Sequence, residues 1–360
     1  MINYIDKENK FTELFDPKTG FYVRSGVIEN GKDTGIDPFM RNFPQLVDVG
    51  IMGNCQHGKS GLCVKSGIQC YQNGLDTEKA DMTVENFKNI VMQCKGKVFQ
   101  FALGGRGDVD HHENFEDILR LCRENGIVPN FTTSGLKMTA EKAKVCKKYT
   151  GAVAVSWYRA VHTERAIKLL LQTDVKTNIH YVLGNNTIDE AIEKLINQSF
   201  PAKINAVIFL LHKPVGMGKQ DNVLKADDPR VQQFFKIIDG SKFDFKVGFD
   251  SCSCAGIINF APNINRSSID YCEGARFSCY IDAQMNMMPC SFANDNPDWY
   301  INLQDCTIQD AWNSEPFNKF RNYFRNACIG CKDREYCGGG CPIVNEITLC
   351  DRKEREYFEN

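Results

Sequence analysis

Val47-Asp48-Val49-Gly50-Ile51-Met52-Gly53-Asn54-Cys55 is followed by Cys63 after seven residues and by Cys70-Tyr71 after six more. An apolar, β-branched run that turns at once into a Gly-rich loop with three thiols reads as a buried strand. That strand delivers three soft ligands to its C-terminal edge. Three thiolates satisfy three irons of a four-iron cluster and leave the fourth iron open, whereas a structural site closes every coordination position. The rest of the chain reads as a barrel built under this loop, with a second cysteine-rich module beside it.

At 360 residues the chain fits two domains, or one barrel plus an extension. A net charge of -2 gives no general reason to expect nucleic acid or an anionic membrane as partner. No apolar run approaches the roughly 18–20 residues that span a bilayer, so no membrane association is expected. The N-terminus, Met1-Ile2-Asn3-Tyr4-Ile5-Asp6-Lys7, lacks the apolar core of a signal peptide, and a cytoplasmic location is the expectation. Seventeen cysteines in a chain of this length, without an export signal, point to metal binding rather than a disulfide scaffold. Cys94, Cys122 and Cys146 are exceptions, since each falls on the apolar stripe of a predicted helix and belongs to the core.

Residues 1–45 are broken by Pro17, Gly20, Gly26, Gly31, Gly35 and Pro38 and predict a short hairpin or a wrapping arm. Beyond them strand-like runs recur at 47–52, 98–103, 127–133, 152–157, 177–183, 206–211 and 245–249, with amphipathic helices between. Thr83 and Thr139 open two of these helices, and Thr187-x-x-Glu190 predicts a capping box for a third. Strands apolar on both faces, joined by helices, make a parallel sheet with right-handed crossovers. The predicted fold class is therefore α/β, a partial TIM-like (β/α) barrel of six or seven units with a small cysteine-rich C-terminal domain. Its functional loops belong at the C-terminal strand ends. Cys55, Cys63 and Cys70 fall there, as do Gly104-Gly105-Arg106-Gly107-Asp108, Ser156, Gly184-Asn185-Asn186 and His212-Lys213-Pro214. The glycine run is equally a tight turn or a place for a charged ligand to approach the backbone.

Past Phe249 the pattern changes and the cysteines take on ligand spacing. Cys272, Cys279 and Cys290 are followed by Cys328-x2-Cys331-x5-Cys337-x3-Cys341 and then Cys350, two complete four-ligand sets. Spacing alone leaves zinc and iron–sulfur open; the three-thiol loop upstream tilts the choice to iron–sulfur.

These motifs resemble those of radical S-adenosylmethionine (SAM) enzymes with a C-terminal SPASM domain, over roughly residues 46–350. The resemblance implies an N-terminal arm at 1–45, a radical SAM partial barrel at 46–250 and an auxiliary-cluster domain at 251–360. It implies three [4Fe-4S] clusters and SAM as cofactors. Cys55, Cys63 and Cys70 would hold the SAM-binding cluster, Cys272, Cys279, Cys290 and Cys341 the first auxiliary cluster, and Cys328, Cys331, Cys337 and Cys350 the second. Gly104, Gly105 and Arg106 match the family's SAM amino-group site. Ser156 and Asn185 match its carboxylate and ribose contacts, and Tyr71 the aromatic after the last cysteine. Three departures stand out: the cluster loop is C-x7-C-x6-C instead of C-x3-C-x2-C, Arg106 replaces an acidic residue, and Met285 replaces a glycine before Cys290.

The activity implied is cleavage of SAM to a 5'-deoxyadenosyl radical that abstracts hydrogen from substrate. That substrate is a peptide undergoing crosslinking, oxidation or epimerisation; the alternative is a protein side chain or a small metabolite. Ferredoxin or flavodoxin would supply the electron. Asp250, Cys252 and Cys254 follow the seventh strand and face the predicted mouth, with Asp250 as base and a thiol as hydrogen donor, or with both cysteines structural. The 45 residues before the barrel are shorter than a peptide-recognition domain of this family, which argues against a leader-dependent substrate. A zinc-ribbon scaffold on an inert barrel is the rival from another class, and nucleic acid is not an expected partner.

Overall fold

The computed structural model describes residues 1–350 except 66, 68, 75–78 and 295 and the side chain at 64. The first 45 residues pair with themselves. Strands β1 (Ile2–Asp6), β2 (Phe11–Phe15) and β3 (Tyr22–Arg24) form an antiparallel sheet, and β4 (Ile28–Glu29) and β5 (Lys32–Asp33) a short hairpin. Alternate side chains of β2 (Phe11, Glu13 and Phe15) are buried, as period-two alternation requires. Phe15 stacks on Phe99, just ahead of the barrel's second strand, at 5.2 Å. The arm is thus a sheet of its own with one face seated on the barrel.

Glu13 and Arg41 fasten that seat. Their side chains are both 0% exposed and 2.9 Å apart. Tyr22 Oη donates to Glu13 Oε1 at 2.9 Å, while Arg41 Nη1 donates to the carbonyls of Pro44 at 2.9 Å and Lys97 at 2.7 Å. Burial raises the Glu13 carboxyl pKa and Arg41 works against that rise.

The seven apolar runs become β6 (Leu46–Met52), β7 (Gln100–Gly105), β8 (Val128–Thr133), β9 (Val153–Ser156), β10 (Thr177–Leu183), β11 (Ala206–Leu211) and β12 (Lys246–Phe249). Each is parallel to the next, in sequence order, so every C-terminal end reaches the same rim. Two short helices, α1 (Gln56–Ser60) and α2 (Leu62–Lys65), lie in the loop after β6. The crossover helices are α3 (Val84–Cys94), α4 (Phe115–Glu124), α5 (Ala140–Tyr149), α6 (Val161–Gln172), α7 (Ile188–Ile196) and α8 (Pro229–Gly240). Thr83 and Thr139 cap α3 and α5, accepting from the Asn86 N–H at 3.2 Å and the Lys142 N–H at 3.3 Å. Cys94, Cys122 and Cys146 are fully buried between helices and sheet. The expected box at Thr187 does not form. Thr187 Oγ1 instead donates to the Val182 carbonyl, and Glu190 is drawn off by Trp157, Arg159 and Tyr181.

The chain beyond β12 does not lose regular structure as its composition suggested. α9 (Cys254–Phe260) leads to β13 (Ser278–Ile281), which joins β6 in parallel, and β14 (Asn286–Met288) and β15 (Ile301–Asn302) continue the sheet antiparallel. The sheet therefore has ten strands, with β6 flanked by β7 and β13. α10 (Ile308–Trp312), α11 (Glu315–Asn326) and α12 (Arg334–Cys337) complete the chain's described elements. No helix among the described residues is long and apolar enough to cross a membrane.

Replacing Arg41 with Met leaves the Glu13 carboxylate buried without its cation and is expected to cost about 3–5 kcal/mol in urea unfolding. Glu13→Gln combined with Arg41→Met should lose less than the sum of the two single changes, because the uncompensated charge disappears.

Candidate functional site

Cys55 caps α1, its Sγ accepting from the Gly58 N–H at 3.3 Å, and Cys63 lies in α2. Both are buried. Burial raises the Cys55 pKa, and the charges of Cys70 and Asp108 add to the rise. Cys63 is pushed up to about 12 by burial and then by Cys55, Cys70 and Asp108. The Cys70 charge thus bears on both Cys55 and Cys63, although seven residues separate those two and six more precede Cys70.

The glycine run packs under this loop. A Cβ on Gly105, at φ 118°, would sit 2.5 Å from the Met52 carbonyl, and one on Gly107 2.5 Å from that of Asn54. Those two glycines exist for backbone contact. Gly104 differs, since a Cβ there would meet nothing within 4 Å, leaving its side open toward the mouth. Arg106 donates its backbone N–H to Met52 at 2.9 Å and its Nη1 to the Asn73 carbonyl at 3.1 Å. Ser156 ends β9. Asn185 is committed elsewhere: its Nδ2 donates to the Asp221 carbonyl at 3.1 Å, and Arg230 bonds its Oδ1. Tyr71 leans on Phe292 with ring centroids 4.7 Å apart, and Lys213 Nζ lies 4.6 Å from the same ring. The cysteine loop thereby touches the segment that follows Cys290.

Asp108, Asp110 and His111 place ligand-type atoms within 4.8 Å of one another. Each carboxylate oxygen already has a protein partner: Ser134 and His57 on Asp108, Thr133 and Lys142 on Asp110. His112 is structural, its Nε2 bonded to the Met82 carbonyl at 2.9 Å.

Past β12, Asp250 is not a free base. It accepts the Leu211 N–H at 3.0 Å, bonds Ser253 Oγ at 3.0 Å and pairs with the Lys213 ammonium. His212 is likewise used, its Nε2 meeting the Lys219 carbonyl at 3.0 Å. Cys252 lies close to Lys213, Asp250 and Cys341, and its charge acts on Cys272 and Cys290. Cys252 is thus the thiol within electrostatic reach of all of Cys272, Cys290 and Cys341. Cys279 stands apart: its neighbours in charge are Cys94 and Asp48. The reason is register, since Cys279 pairs with Val47 on β6 and takes Val47's helix-facing side. Cys279, grouped in the sequence reading with Cys272, Cys290 and Cys341, lines one cavity with Cys272 and Cys290 while its neighbours in charge are Cys94 and Asp48. Cys254 is buried beside Cys337 and donates its thiol to the Asp270 carbonyl at 3.2 Å. Between Cys337 and Cys341, Gly338, Gly339 and Gly340 take φ values of 65°, 90° and 104°, a left-handed turn that turns the chain between the two thiols. Cys331 donates its N–H to the Cys328 carbonyl at 3.0 Å, and Cys350 follows the buried Leu349.

A cavity of about 620 Å³ runs between the barrel and these thiols, lined among others by Asp48, Phe249, Asp250, Cys272, Cys290 and Phe292.

No protein-family model matches the sequence. Among solved structures, Streptococcus suis SuiB bound to S-adenosylmethionine aligns over 88% of this chain and 78% of its own, with 15% identity and a TM-score of 0.66. The same protein bound to precursor peptide SuiA aligns over 88% and 77%, with 16% identity and a TM-score of 0.65. Native anSMEcpe with bound AdoMet and Cp18Cys peptide aligns over 87% and 92%, with 17% identity and a TM-score of 0.59. This chain shares the fold of SuiB and anSMEcpe.

One residue escaped the sequence reading. Asp48 sits mid-strand in β6, lines the cavity and has no hydrogen-bond or ion-pair partner among the described residues. Burial alone raises its carboxyl to about 7. The signal was present, as a lone acid in a strand otherwise apolar on both faces. A carboxyl so raised is held protonated by the fold; its stabilising contribution is complete below about 4 and is lost as pH rises through 7. Infrared difference spectra should show a protonated-carboxyl band disappearing with a midpoint near pH 7, absent from Asp48→Asn.

Proposed function

We propose that this chain is a radical SAM enzyme that modifies a peptide, with 46–250 as the catalytic barrel, 251–360 as an auxiliary-cluster module and 1–45 as a seated arm. The observation that carries the reading is the loop after β6, at the C-terminal rim of a parallel barrel, in which Cys55 and Cys63 are both buried and the Cys70 charge bears on both. That donor set fits a four-iron cluster with one open iron. Bound there, the cluster and SAM would supply the one-electron chemistry that gives a 5'-deoxyadenosyl radical.

The chain's own residues bind, orient and exclude water. Gly104 leaves the mouth open where SAM's amino group would come, with Gly105 and Arg106 holding the backbone in place and Ser156 and Tyr71 completing the rim. Asn185 would have to exchange Asp221 or Arg230 to reach a ribose. Cys252, Cys272, Cys290 and Cys341 would hold one auxiliary cluster, and Cys328, Cys331, Cys337 and Cys350 a second. The cavity, with Asp48 and Asp250 on its walls, is where the substrate would lie. A peptide is favoured because SuiB and anSMEcpe, which share the fold, were solved with bound peptides. Ferredoxin or flavodoxin would reduce the cluster.

Anaerobically reconstituted protein with dithionite should convert SAM to 5'-deoxyadenosine and methionine, detected by liquid chromatography. Cys55→Ala, Cys63→Ala and Cys70→Ala should each bring this to background. Colourless protein holding zinc and no acid-labile sulfide would sink the reading and favour a zinc scaffold.

A further inference from the structure

The stretched cysteine loop poses a problem of order. Five-residue α1 and four-residue α2 are too short to persist alone, so ties to the barrel must fix the thiols. Near Cys55, Asp81 Oδ1 accepts from the Gly53 N–H at 2.8 Å and Asn54 Nδ2 at 3.1 Å. Near Cys70, its carbonyl accepts the Met217 N–H at 2.8 Å, and Gln69 Oε1 the Lys219 N–H at 2.9 Å. Between Cys55 and Cys63 stands His57, its side chain 4% exposed.

We propose that His57 is a positioning residue, docking the Cys55–Cys63 segment onto the ends of β7 and β8 so that the three thiols share one centre. The proposal rests on the reading that Cys55, Cys63 and Cys70 hold the SAM-binding cluster. His57 Nε2 lies 2.9 Å from Asp108 Oδ2 and 2.7 Å from Ser134 Oγ. Ser134 closes the triangle, its Oγ donating to Asp108 Oδ2 at 2.5 Å and its N–H to Oδ1 at 2.9 Å. Burial alone would raise the Asp108 pKa, but hydrogen bonds from His57 and Ser134 more than offset it and keep the carboxylate charged. A carboxylate opposite Nε2 fixes the Nε2–H tautomer, so the bond is directional. Nδ1 is buried without a partner, which leaves the Nε2 side as the ring's sole polar attachment among the described residues.

Each partner is itself fixed. Asp108 follows Gly107, whose missing Cβ lets the chain pass the Asn54 carbonyl. Ser134 follows β8, and its carbonyl accepts from Thr163 Oγ1 at 3.3 Å. The rings of His111, Tyr158 and His162 surround His57 at 6.0, 6.3 and 6.4 Å. One imidazole therefore joins the cysteine loop to two strand ends, a role the shorter family loop leaves to its own tight spacing.

The test uses the full chain, reconstituted anaerobically, in three variants: His57→Ala, His57→Gln and Ser134→Ala. Readouts are iron content, far-ultraviolet circular dichroism and the change that SAM makes in the electron paramagnetic resonance spectrum of the dithionite-reduced protein. His57→Ala should lose the SAM-dependent change and about four of about twelve irons, with native dichroism. His57→Gln, which keeps an N–H donor near the Nε2 position, should restore most of both, and Ser134→Ala should lose part. Should His57→Ala fail to fold, Ser134→Ala decides by the same readouts. Wild-type iron and an unchanged SAM response in His57→Ala, or a folded His57→Gln as defective as Ala, overturns the proposal. Wild-type protein with no SAM response at all overturns the underlying reading instead.

Discussion

Burial makes the Cys55 and Cys63 thiols resist ionisation, and the charges of Cys70 and Asp108 add to that resistance. The fold brings thiols near one another at two places, in the loop after β6 and around Cys252, where strand ends and tight turns meet. A parallel sheet supplies the first gathering: its seven strands all end on one rim, so residues distant in sequence become neighbours without any local motif. The second needs β13 to lie along β6, bringing Cys290 and the residues after it to the same end. Beside the second lies the cavity, lined by Cys272 and Cys290, and its walls are where chemistry has room.

The barrel was legible because a strand buried on both faces must be apolar throughout, and seven such runs leave few alternatives. Capping threonines at 83 and 139 read correctly for the same local reason. Thr187 misled because its partner, Glu190, had stronger offers from Trp157, Arg159 and Tyr181, none of them adjacent in sequence. The arm misled in a milder way. Its strands of two to five residues carry too little periodicity to announce a sheet, and what seats them is the distant pair Glu13–Arg41.

Spacing marks the cysteines as candidate ligands but cannot say which sulfurs are neighbours. Cys279 and Cys290 look alike in sequence, yet strand pleating turns Cys279 toward Cys94. Cys252, a candidate at the mouth in the sequence, lies close to Cys341. The sequence does contain the device that makes this possible, Gly338-Gly339-Gly340, but its left-handed angles become meaningful only once Cys337 and Cys341 are seen to have different neighbours.

The glycines at the rim sharpen the same point about context. Gly104, Gly105 and Gly107 are chemically identical and read as one run, yet two of them are filled against by Met52 and Asn54 and one faces open space. An alanine at 105 or 107 would push the cysteine loop off its support, whereas an alanine at 104 would leave the fold intact and narrow the mouth. Asp48 is the complementary case, a side chain with no hydrogen-bond or ion-pair partner among the described residues. A buried carboxyl without a partner is costly, and in a strand whose other inward positions are small or uncharged, a partner from outside the chain is the economical explanation for keeping it.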